Sequence, residues 1–437
     1  MLNERKKKAL QELKLEYRDV NDNVMSLFYE EVNLNEILKK YKTPIYVYSK
    51  NRIVRNCNNF VKAFCDVKIK NFQICYAMKA CSNLSILKLI SSLGFGVDVV
   101  SKGEIEKAIF AGFSAKSIVF SGVGKTTEEL VFAIKNGVGQ INIESIEELQ
   151  EVIKIANEMK IKANVALRVN PSIKAHTNKK ISTGHYVNKF GIEVNKIDDI
   201  VKTYGKQKYI SIVGLTIHIG SQITNANDFD RAFSCMKKIY KFYPEFTTID
   251  LGGGLGINYD LKSSCLSVQD YVAIIKKYFS GFSGKIIIEM GRSIIGDAGI
   301  FLTRIIRVKY TSAKKFIIID GGMNNLIRPA LYEAWHEPLL VNLSTKKRKG
   351  IEKKKERYDI VGPICESSDV FNENVFFKKN DLLENCIVFT CAGAYCRSMS
   401  SDYNLQGIAG EVLIDGKNVV EIAKRIDWKK LTTISER

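Results

Sequence analysis

The 437-residue sequence has ten cysteines but no CxxC pair, and its four histidines are scattered along the chain. No zinc-binding spacing is therefore present, and we expect no metal site. Cysteines in this arrangement are typical of reduced thiols in a cytoplasm, where structural disulfides are rare. We therefore expect a cytoplasmic protein.

Long apolar runs are also missing, because no stretch approaches the roughly 18 apolar residues that a membrane-spanning helix needs. The opening segment, MLNERKKKALQELKLEYRD, has charged residues throughout and no apolar core. It predicts neither a signal peptide nor a transit peptide. We expect no membrane association.

Acidic residues are in the minority, with 47 Asp and Glu against 66 Lys and Arg and a net charge of +19. Such an excess can indicate nucleic-acid binding, because basic surfaces neutralise phosphates. The lysines are spread over the whole chain, however, and a compositional bias explains them equally well. We expect no nucleic-acid partner, and the densest basic stretch, residues 345–357, predicts a solvated loop.

The sequence does contain a regular alternation of apolar runs with helical patterns. The runs are FQICYA leading to Lys79, GVDVVS (96–101), SIVFSG (117–122), QINIES (140–145), ANVALRVN (163–170), IVGLTIHIGS (212–221), TTIDLGGG (247–254) and KIIIEMGR (285–292). Eight strand-helix units in about 240 residues predict an α/β fold, the (β/α)8 TIM barrel.

After about residue 300 the pattern changes to short strands separated by turns, which predicts a second domain, an antiparallel β-sandwich or β-barrel. We predict three segments. Residues 1–48 form an N-terminal helix and strand that contribute to the β domain, residues 49–305 form the barrel, and residues 306–437 form the C-terminal β domain. Within the first segment, residues 1 to about 25 predict one charged helix.

Each predicted barrel strand ends on residues capable of chemistry, and this fold keeps its active site at the carboxyl ends of its strands. These residues are Lys79, Asp98, Ser121, Glu144, Arg168 with Asn170, His218, the glycines 252–254 and Glu289. Lys79 has two interpretations. It is either a strand-end lysine that reaches solvent or a Schiff-base lysine tuned by partial burial.

The triplet Gly252, Gly253 and Gly254 follows the seventh predicted strand, and backbone N–H groups of glycines there can surround an anion. The loops after strands seven and eight are the usual phosphate site of this fold. The alternative is a tight turn and nothing more. A phosphate site with Lys79 at strand one and Glu289 at strand eight favours pyridoxal phosphate, whose aldehyde needs a lysine and whose ring nitrogen needs an acidic partner.

Seven separated motifs then make a family resemblance specific. They are YAMKACSN, HIGSQ, GGGLG, EMGR, MNNLIRPALYEAWH, GPICESSD and AGAYCRSMSSDYN. Together, over residues of about 28 to 425, they resemble the diaminopimelate decarboxylase family of fold-type III, alanine racemase-like pyridoxal-phosphate enzymes. The resemblance implies decarboxylation of meso-2,6-diaminopimelate to L-lysine and carbon dioxide, the last step of lysine biosynthesis. It also implies a homodimer with shared active sites.

The resemblance implies a role for each cofactor-binding residue. Lys79 would hold pyridoxal phosphate as a Schiff base, His218 would stack on its ring, and Glu289 would pair with the protonated ring nitrogen. The remaining cofactor-binding residues, mostly at the phosphate end, would be Ser221, Gly252, Gly253, Gly254, Met290, Gly291, Arg292 and Tyr395.

The substrate-binding residues implied by the resemblance are Arg292, Arg328, Tyr332, Glu366 and Tyr395. The arginines suit carboxylates because a guanidinium can donate two parallel hydrogen bonds to one. Cys365 would reach the active site of the other subunit and donate the proton that replaces carbon dioxide. The catalytic set would then be Lys79, His218, Glu289 and Cys365.

Two positions depart from the family pattern. Met290 stands where proline is usual, and Cys396 stands where glycine is usual. Because of Cys396, the family pattern does not predict the backbone conformation beside Tyr395. A competing function within the same class is decarboxylation of ornithine or arginine. Arg328 argues against it, because a distal amine needs no cation, while Glu366 suits the distal ammonium.

Two more functions compete, those of an alanine racemase and of a non-catalytic pyridoxal-phosphate-binding protein. The racemase family sets an arginine against the ring nitrogen, whereas the residue at the end of strand eight here is Glu289. A non-catalytic carrier would be a single barrel without the segment GPICESSD.

Overall fold

A computed structural model describes residues 4–21, 24–173, 177–181, 183, 189–344, 354–382 and 384–435. The chain forms two compact units. The barrel unit comprises residues 54–257 and 265–294, and the β unit comprises residues 1–53, 258–264 and 295–437. The predicted domain limits after residues 48 and 305 stay a prediction. Residues 258–264 belong to the β unit although they lie between two barrel segments of the sequence, and nothing in the sequence predicts this.

The barrel unit is built on eight parallel strands within the described residues. They are β1 (Phe72–Ala77), β2 (Gly96–Val99), β3 (Ile118–Phe120), β4 (Gln140–Ile143), β5 (Ala163–Asn170), β6 (Ile210–Thr216), β7 (Thr248–Asp250) and β8 (Lys285–Met290). Each strand pairs with the next, and β8 pairs with β1, which closes the barrel. The predicted (β/α)8 fold is confirmed.

Helices follow the strands and begin at residues that favour helix starts. The helices are Leu84–Ser92, Lys102–Phe110, Thr127–Lys135, Ile146–Met159, Ile197–Tyr204, Ala226–Tyr240 and Val268–Phe279, with Lys50–Asp66 before β1 and the short Arg292–Ile295 after β8. The side chains of Asn83, Ser101, Thr126, Ser145, Asn225 and Ser267 each accept a backbone N–H at a helix start. These caps fix where the helices begin, and the parallel direction of the strands places the strand-end residues at one edge of the barrel.

The β unit holds two sheets within the described residues. The smaller contains Leu15–Asn21, Val24–Tyr29, Val32–Asn33 and Asn342–Ser344. The larger contains Ile45–Ser49, Gly299–Tyr310, Lys315–Ile319, Pro338–Leu340, Lys355–Val361, Val370–Lys378, Cys386–Phe389, Gly410–Asp415 and Asn418–Ala423. Most pairs are antiparallel, as predicted. Two pairs in the larger sheet are parallel: Ile45–Ser49 with Gly410–Asp415, and Lys315–Ile319 with Lys355–Val361.

Within the described residues, the β unit also contains the helices Glu4–Glu12, Leu34–Lys40, Arg328–Tyr332 and Trp428–Ser435. The prediction of one helix over residues 1 to about 25 is correct for Glu4–Glu12 and wrong beyond it, because Leu15–Asn21 is a strand paired antiparallel with Val24–Tyr29. Residues 21–23 read Asn-Asp-Asn, a turn signal that the charged composition obscured. Pairing satisfies the backbone of this segment better than an isolated helix with few apolar residues would.

Most of the predicted basic loop, residues 345–353, lies outside the described residues, and residues 355–357 begin a strand.

Over the described ranges, no helix is long and apolar enough to cross a membrane. All ten cysteines are free thiols. No group of three or more potential metal ligands occurs in the part of the chain that the structure describes.

Lys125 links three parts of the barrel from a fully buried position. Its ammonium donates to the carbonyl oxygens of Gly122 and Asn142, each at 2.7 Å, and pairs with Glu148 at 2.5 Å. Burying a lysine is costly unless its donors are satisfied, and here three acceptors satisfy them. Lys125 therefore has a structural role.

We predict that Lys125→Met destabilises the barrel by about 3–5 kcal/mol, because it leaves the partly buried Glu148 carboxylate without its cation. Urea unfolding followed by far-UV circular dichroism measures the change. Lys102→Met is the matched control, because the Lys102–Glu128 pair is exposed and should contribute little. Equal effects of the two substitutions would contradict the role of Lys125.

Candidate active site

Lys79 stands at the carboxyl end of β1, where the chain turns into one turn of 3₁₀ helix, Met78–Ala80. Its side chain is 39% exposed, and its ammonium lies 2.8 Å from Oδ2 of Asp98 at the end of β2. Asp98 is fully buried, and its Oδ1 accepts no hydrogen bond from the described residues. An amine held by a buried carboxylate favours the Schiff-base interpretation over a lysine that only reaches solvent.

Glu289, near the end of β8, is buried among polar side chains from β4 and the loop after β3. Its Oε1 accepts from the amide of Asn142 at 3.3 Å and from the hydroxyl of Ser121 at 3.5 Å. Burial, and then the carboxyl groups of Asp250 and Asp98, raise the pKa of Glu289 well above its ordinary value. The equilibrium of the Glu289 carboxyl is therefore shifted toward the protonated, uncharged form.

His218 lies just beyond β6, and its Nδ1 accepts the backbone N–H of Gly253 at 3.1 Å. This hydrogen bond fixes the tautomer with the proton on Nε2. Desolvation, then the cations Arg168 and Lys79, lower the pKa of His218 well below its usual range. The imidazole is therefore neutral at physiological pH.

The glycine triplet runs beside β8, where side chains have no room. A Cβ on Gly253 would lie 2.0 Å from the carbonyl oxygen of Glu289, and one on Gly254, at φ +111°, would lie 2.4 Å from that of Gly220. The N–H of Gly252 donates to Asp250 and that of Gly253 to His218, whereas that of Gly254 makes no hydrogen bond within the described residues. Of the three amides, Gly254 is therefore the one left to bind an anion.

The other predicted cofactor residues of this unit lie on the loops after β6 and β8. Arg292 is buried and donates to the hydroxyl of Ser221 at 2.9 Å. Met290 is the last residue of β8 and pairs in register with Tyr76, so the residue that replaces the family's proline continues the strand. Gly291 is buried at the start of the turn that follows.

In the β unit, Arg328 opens the short helix Arg328–Tyr332 and is buried. Its Nη1 lies 2.8 Å from Nε2 of His336, and its guanidinium stacks over the ring of Tyr259 at 4.3 Å. An arginine can only donate, so Nε2 of His336 accepts, and its Nδ1–H donates to the carbonyl of Thr390 at 2.9 Å. Among the described residues, no carboxylate pairs with Arg328.

Cys365 and Glu366 lie on an exposed turn of the β unit. The N–H of Cys365 donates to Oδ1 of Asn404 at 2.9 Å, and the neighbouring Tyr403 and Leu405 are 44% and 60% exposed. Apolar surface of this kind around a polar turn is typical of an interaction site.

Tyr395 follows the strand Cys386–Phe389 and adopts the left-handed conformation, with φ +56°. Cys396, by contrast, has φ −116°, which any L-residue can adopt, and its buried thiol donates to the carbonyl of Ala394 at 3.2 Å. The left-handed backbone conformation at this turn therefore falls on Tyr395, while Cys396, which stands in place of glycine, keeps a negative φ.

Comparison with known proteins decides the family. Residues 50–296 match the family model described as pyridoxal-dependent decarboxylase, pyridoxal binding domain. The diaminopimelate decarboxylase of Zymomonas mobilis is 38% identical over 408 residues, 92% of this chain and 94% of the relative, and that of Aquifex aeolicus is 38% identical over 421 residues, 95% of each. The structure of Helicobacter pylori diaminopimelate decarboxylase complexed with L-lysine has a TM-score of 0.86, with 34% identity, 92% of this chain covered and 99% of that one.

The chain belongs to the diaminopimelate decarboxylase family. The cofactor of this family is pyridoxal phosphate, and the barrel unit fits it on three observations. Lys79 presents an amine beside a buried carboxylate, the N–H of Gly254 makes no hydrogen bond within the described residues, and Glu289 offers a buried acid to a ring nitrogen. The chemistry of this donor set suits an aldehyde, a phosphate and a pyridine nitrogen.

Several residues around the predicted site residues of each unit have no role predicted from the sequence. In the barrel they are Asp98, Ser121, Gln140, Asn142 and Asp250, and in the β unit they are Tyr259, His336 and Asn404. Asp98 and Asp250 stand at strand ends, and this position could have identified them as site residues. Nothing in the sequence could have identified the partners in the β unit, because no pattern links Tyr259 to Arg328.

We predict that the protein as purified with pyridoxal phosphate is yellow, and that borohydride fixes the cofactor on Lys79. Peptide mapping by mass spectrometry identifies the modified residue. Lys125, which has all three donors occupied, should carry no adduct. Reduction on a lysine other than Lys79 would contradict the assignment of the Schiff-base residue.

Proposed function

We propose that this chain decarboxylates meso-2,6-diaminopimelate to L-lysine and carbon dioxide, with Lys79, His218, Glu289 and Cys365 as its catalytic residues. Family membership supports the reaction class, and the lysine bound in the Helicobacter pylori relative supports the product. Ten free thiols support a cytoplasmic location.

The buried guanidinium of Arg328 is the observation that supports diaminopimelate, and not ornithine or arginine, as the substrate. A buried cation is costly unless an anion compensates it, and its partners among the described residues, His336 and Tyr259, are neutral. A substrate carboxylate supplies that anion through charge-assisted hydrogen bonds. Diaminopimelate has a distal carboxylate, whereas ornithine and arginine have none, so Arg328 favours diaminopimelate.

Each barrel residue then has a defined task. The bound cofactor supplies an electron-withdrawing ring that stabilises the negative charge left when carbon dioxide departs. Lys79 would hold the cofactor through its aldehyde carbon, His218 would present a neutral ring to it, and Glu289 would hold the proton at its ring nitrogen. Gly254, Ser221 and Arg292 bind the phosphate end, with Gly252, Gly253, Met290 and Gly291 shaping the backbone around it.

The β unit supplies the substrate contacts and the acid. Arg328 binds the distal carboxylate and Glu366 the distal ammonium, while Tyr332, Tyr395 and Arg292 complete the substrate contacts. Cys365 donates a proton to the carbon that has lost carbon dioxide. We propose that it serves the partner subunit of a homodimer, because Cys365 is exposed and stands beside the exposed side chains of Tyr403 and Leu405.

The proposal is tested by supplying the purified protein and pyridoxal phosphate with meso-diaminopimelate, ornithine or arginine in separate reactions. We expect carbon dioxide and L-lysine from meso-diaminopimelate, and no significant turnover of the other two. Carbon dioxide release and amino-acid chromatography measure the outcome. Turnover of ornithine or arginine would favour a decarboxylase of those amino acids, and no turnover of any substrate would favour a non-catalytic role.

The same assay also tests the proposed contact between Arg328 and the distal carboxylate of the substrate. Arg328→Met should raise the KM for meso-diaminopimelate by about 10-fold or more, because a hydrogen-bonded ion pair is lost. Arg304→Met, an exposed arginine of the same unit, is the matched control and should leave KM unchanged. An unaltered KM in Arg328→Met would remove Arg328 from substrate binding.

We further predict that Lys79→Ala and Cys365→Ala, each nearly inactive alone, regain activity when mixed. Random exchange makes mixed dimers about half of the population, each with one intact site, so recovery should approach about a quarter of wild-type activity. A mixture of Lys79→Ala with Glu289→Ala should stay inactive, because every barrel then carries a defect. No recovery after confirmed subunit exchange would mean that Cys365 does not act across the dimer.

A further inference from the structure

We propose that Asp250 is a positioning residue that fixes the protonation of Glu289 and, through it, the proton on the cofactor's ring nitrogen. The inference rests on the proposed role of Glu289 and extends it to a residue with no assigned role. Asp250 is the last residue of β7 and is fully buried.

Both oxygens of Asp250 face N–H donors. Oδ1 accepts the backbone N–H of Gly252 at 2.9 Å, and Oδ2 accepts the side-chain amide of Gln140 at 3.2 Å. The same Gln140 amide donates to Asn142 at 2.8 Å, and Asn142 donates to Glu289. The two buried carboxyl groups are thus joined through two buried amides, those of Gln140 and Asn142.

Two ionised carboxylates buried in one cluster repel each other, so one of the two is favoured to hold a proton. Asp250, with donors on both oxygens, is the better carboxylate, so the proton belongs to Glu289. The pKa values agree with this division. Burial raises the pKa of Asp250 to about 6, whereas burial together with Asp250 raises that of Glu289 well above its ordinary value.

Asp250 therefore keeps an acidic proton on Glu289, opposite a pyridine nitrogen. A pyridine nitrogen bound at Glu289 would take up this proton, and the resulting Glu289 carboxylate would compensate the positive charge of the ring. The Asp250 carboxylate would add a second negative charge close to the first. Two negative charges hold the ring proton more strongly than one does, so Asp250 strengthens the cationic form of the ring.

Other titratable groups also face the pair. Asp98, like Asp250, raises the pKa of Glu289, whereas the ammonium of Lys79 lowers it. The thiol of Cys75 and the hydroxyl of Tyr271 are buried nearby, and burial raises both pKa values, so both groups are neutral at physiological pH. None of these four is changed by a substitution at position 250, so the effect of that substitution reports on Asp250.

The test follows the ring nitrogen directly. Wild-type, Asp250→Asn, Glu289→Gln and Asp228→Asn holoenzymes are loaded with pyridoxal phosphate labelled with ¹⁵N in the ring, and the ¹⁵N chemical shift is followed against pH. Asn keeps an oxygen for the N–H of Gly252. Asp228 is the matched control, because it is fully buried in the same unit but pairs with Arg231 on its own helix.

We expect Asp250→Asn to lose the ring proton at a pH at least about one unit lower than wild type, since one neighbouring negative charge is removed. Asp228→Asn should titrate as wild type does. If Asp250→Asn also titrates as wild type does, the inference is overturned. A wild-type titration in Glu289→Gln would instead overturn the proposed role of Glu289, so the two failures are distinguishable.

A second measurement needs no variant at position 250. The infrared spectrum of the cofactor-free wild-type protein at neutral pH should contain the C=O stretch of a buried carboxylic acid, and Glu289→Gln should lack it. This band tests whether Glu289 holds a proton, even if Asp250→Asn fails to fold. Its absence from the wild-type spectrum would overturn the inference.

Discussion

The free energy of burying Asp98, Asp250 and Glu289 at one edge of the barrel is the constraint on which the site depends. Ionised carboxylates in such surroundings are costly unless cations or N–H donors compensate them. Here Lys79 compensates Asp98, and Gln140 with the backbone of Gly252 compensates Asp250. The remaining negative potential suits a ligand whose ring carries a positive charge, and the neutral His218 adds no competing cation.

The β unit has the opposite electrostatic requirement. Arg328 keeps a buried positive charge among neutral partners, while Glu366 on an exposed turn supplies a negative one. A substrate with a carboxylate and an ammonium at its distal end meets both requirements, which is why these two residues favour a diamino-dicarboxylic acid. Fold alone would not make this distinction, since one barrel can support many reactions.

The sequence predicted what periodicity and strand ends can report. The eight barrel strands were predictable because parallel strands buried on both faces are continuous apolar runs. Pairings distant in sequence, such as Ile45–Ser49 with Gly410–Asp415, left no local pattern. The same limit applies to the site. Lys79 and Glu289 carry motif signals, but the link from Asp250 through Gln140 and Asn142 to Glu289 depends on distances and burial that only the folded barrel defines.

The contact of Arg328 with His336 also has an evolutionary consequence. Because the guanidinium is the donor to Nε2, any substitution of Arg328 that lacks a donor removes this hydrogen bond from a buried imidazole. A lineage that changed its preference for the distal group of the substrate would therefore gain from a matching change at position 336. Positions 328 and 336 are consequently expected to vary as a pair, so that substrate preference changes in a joint step and not through a series of independent single substitutions.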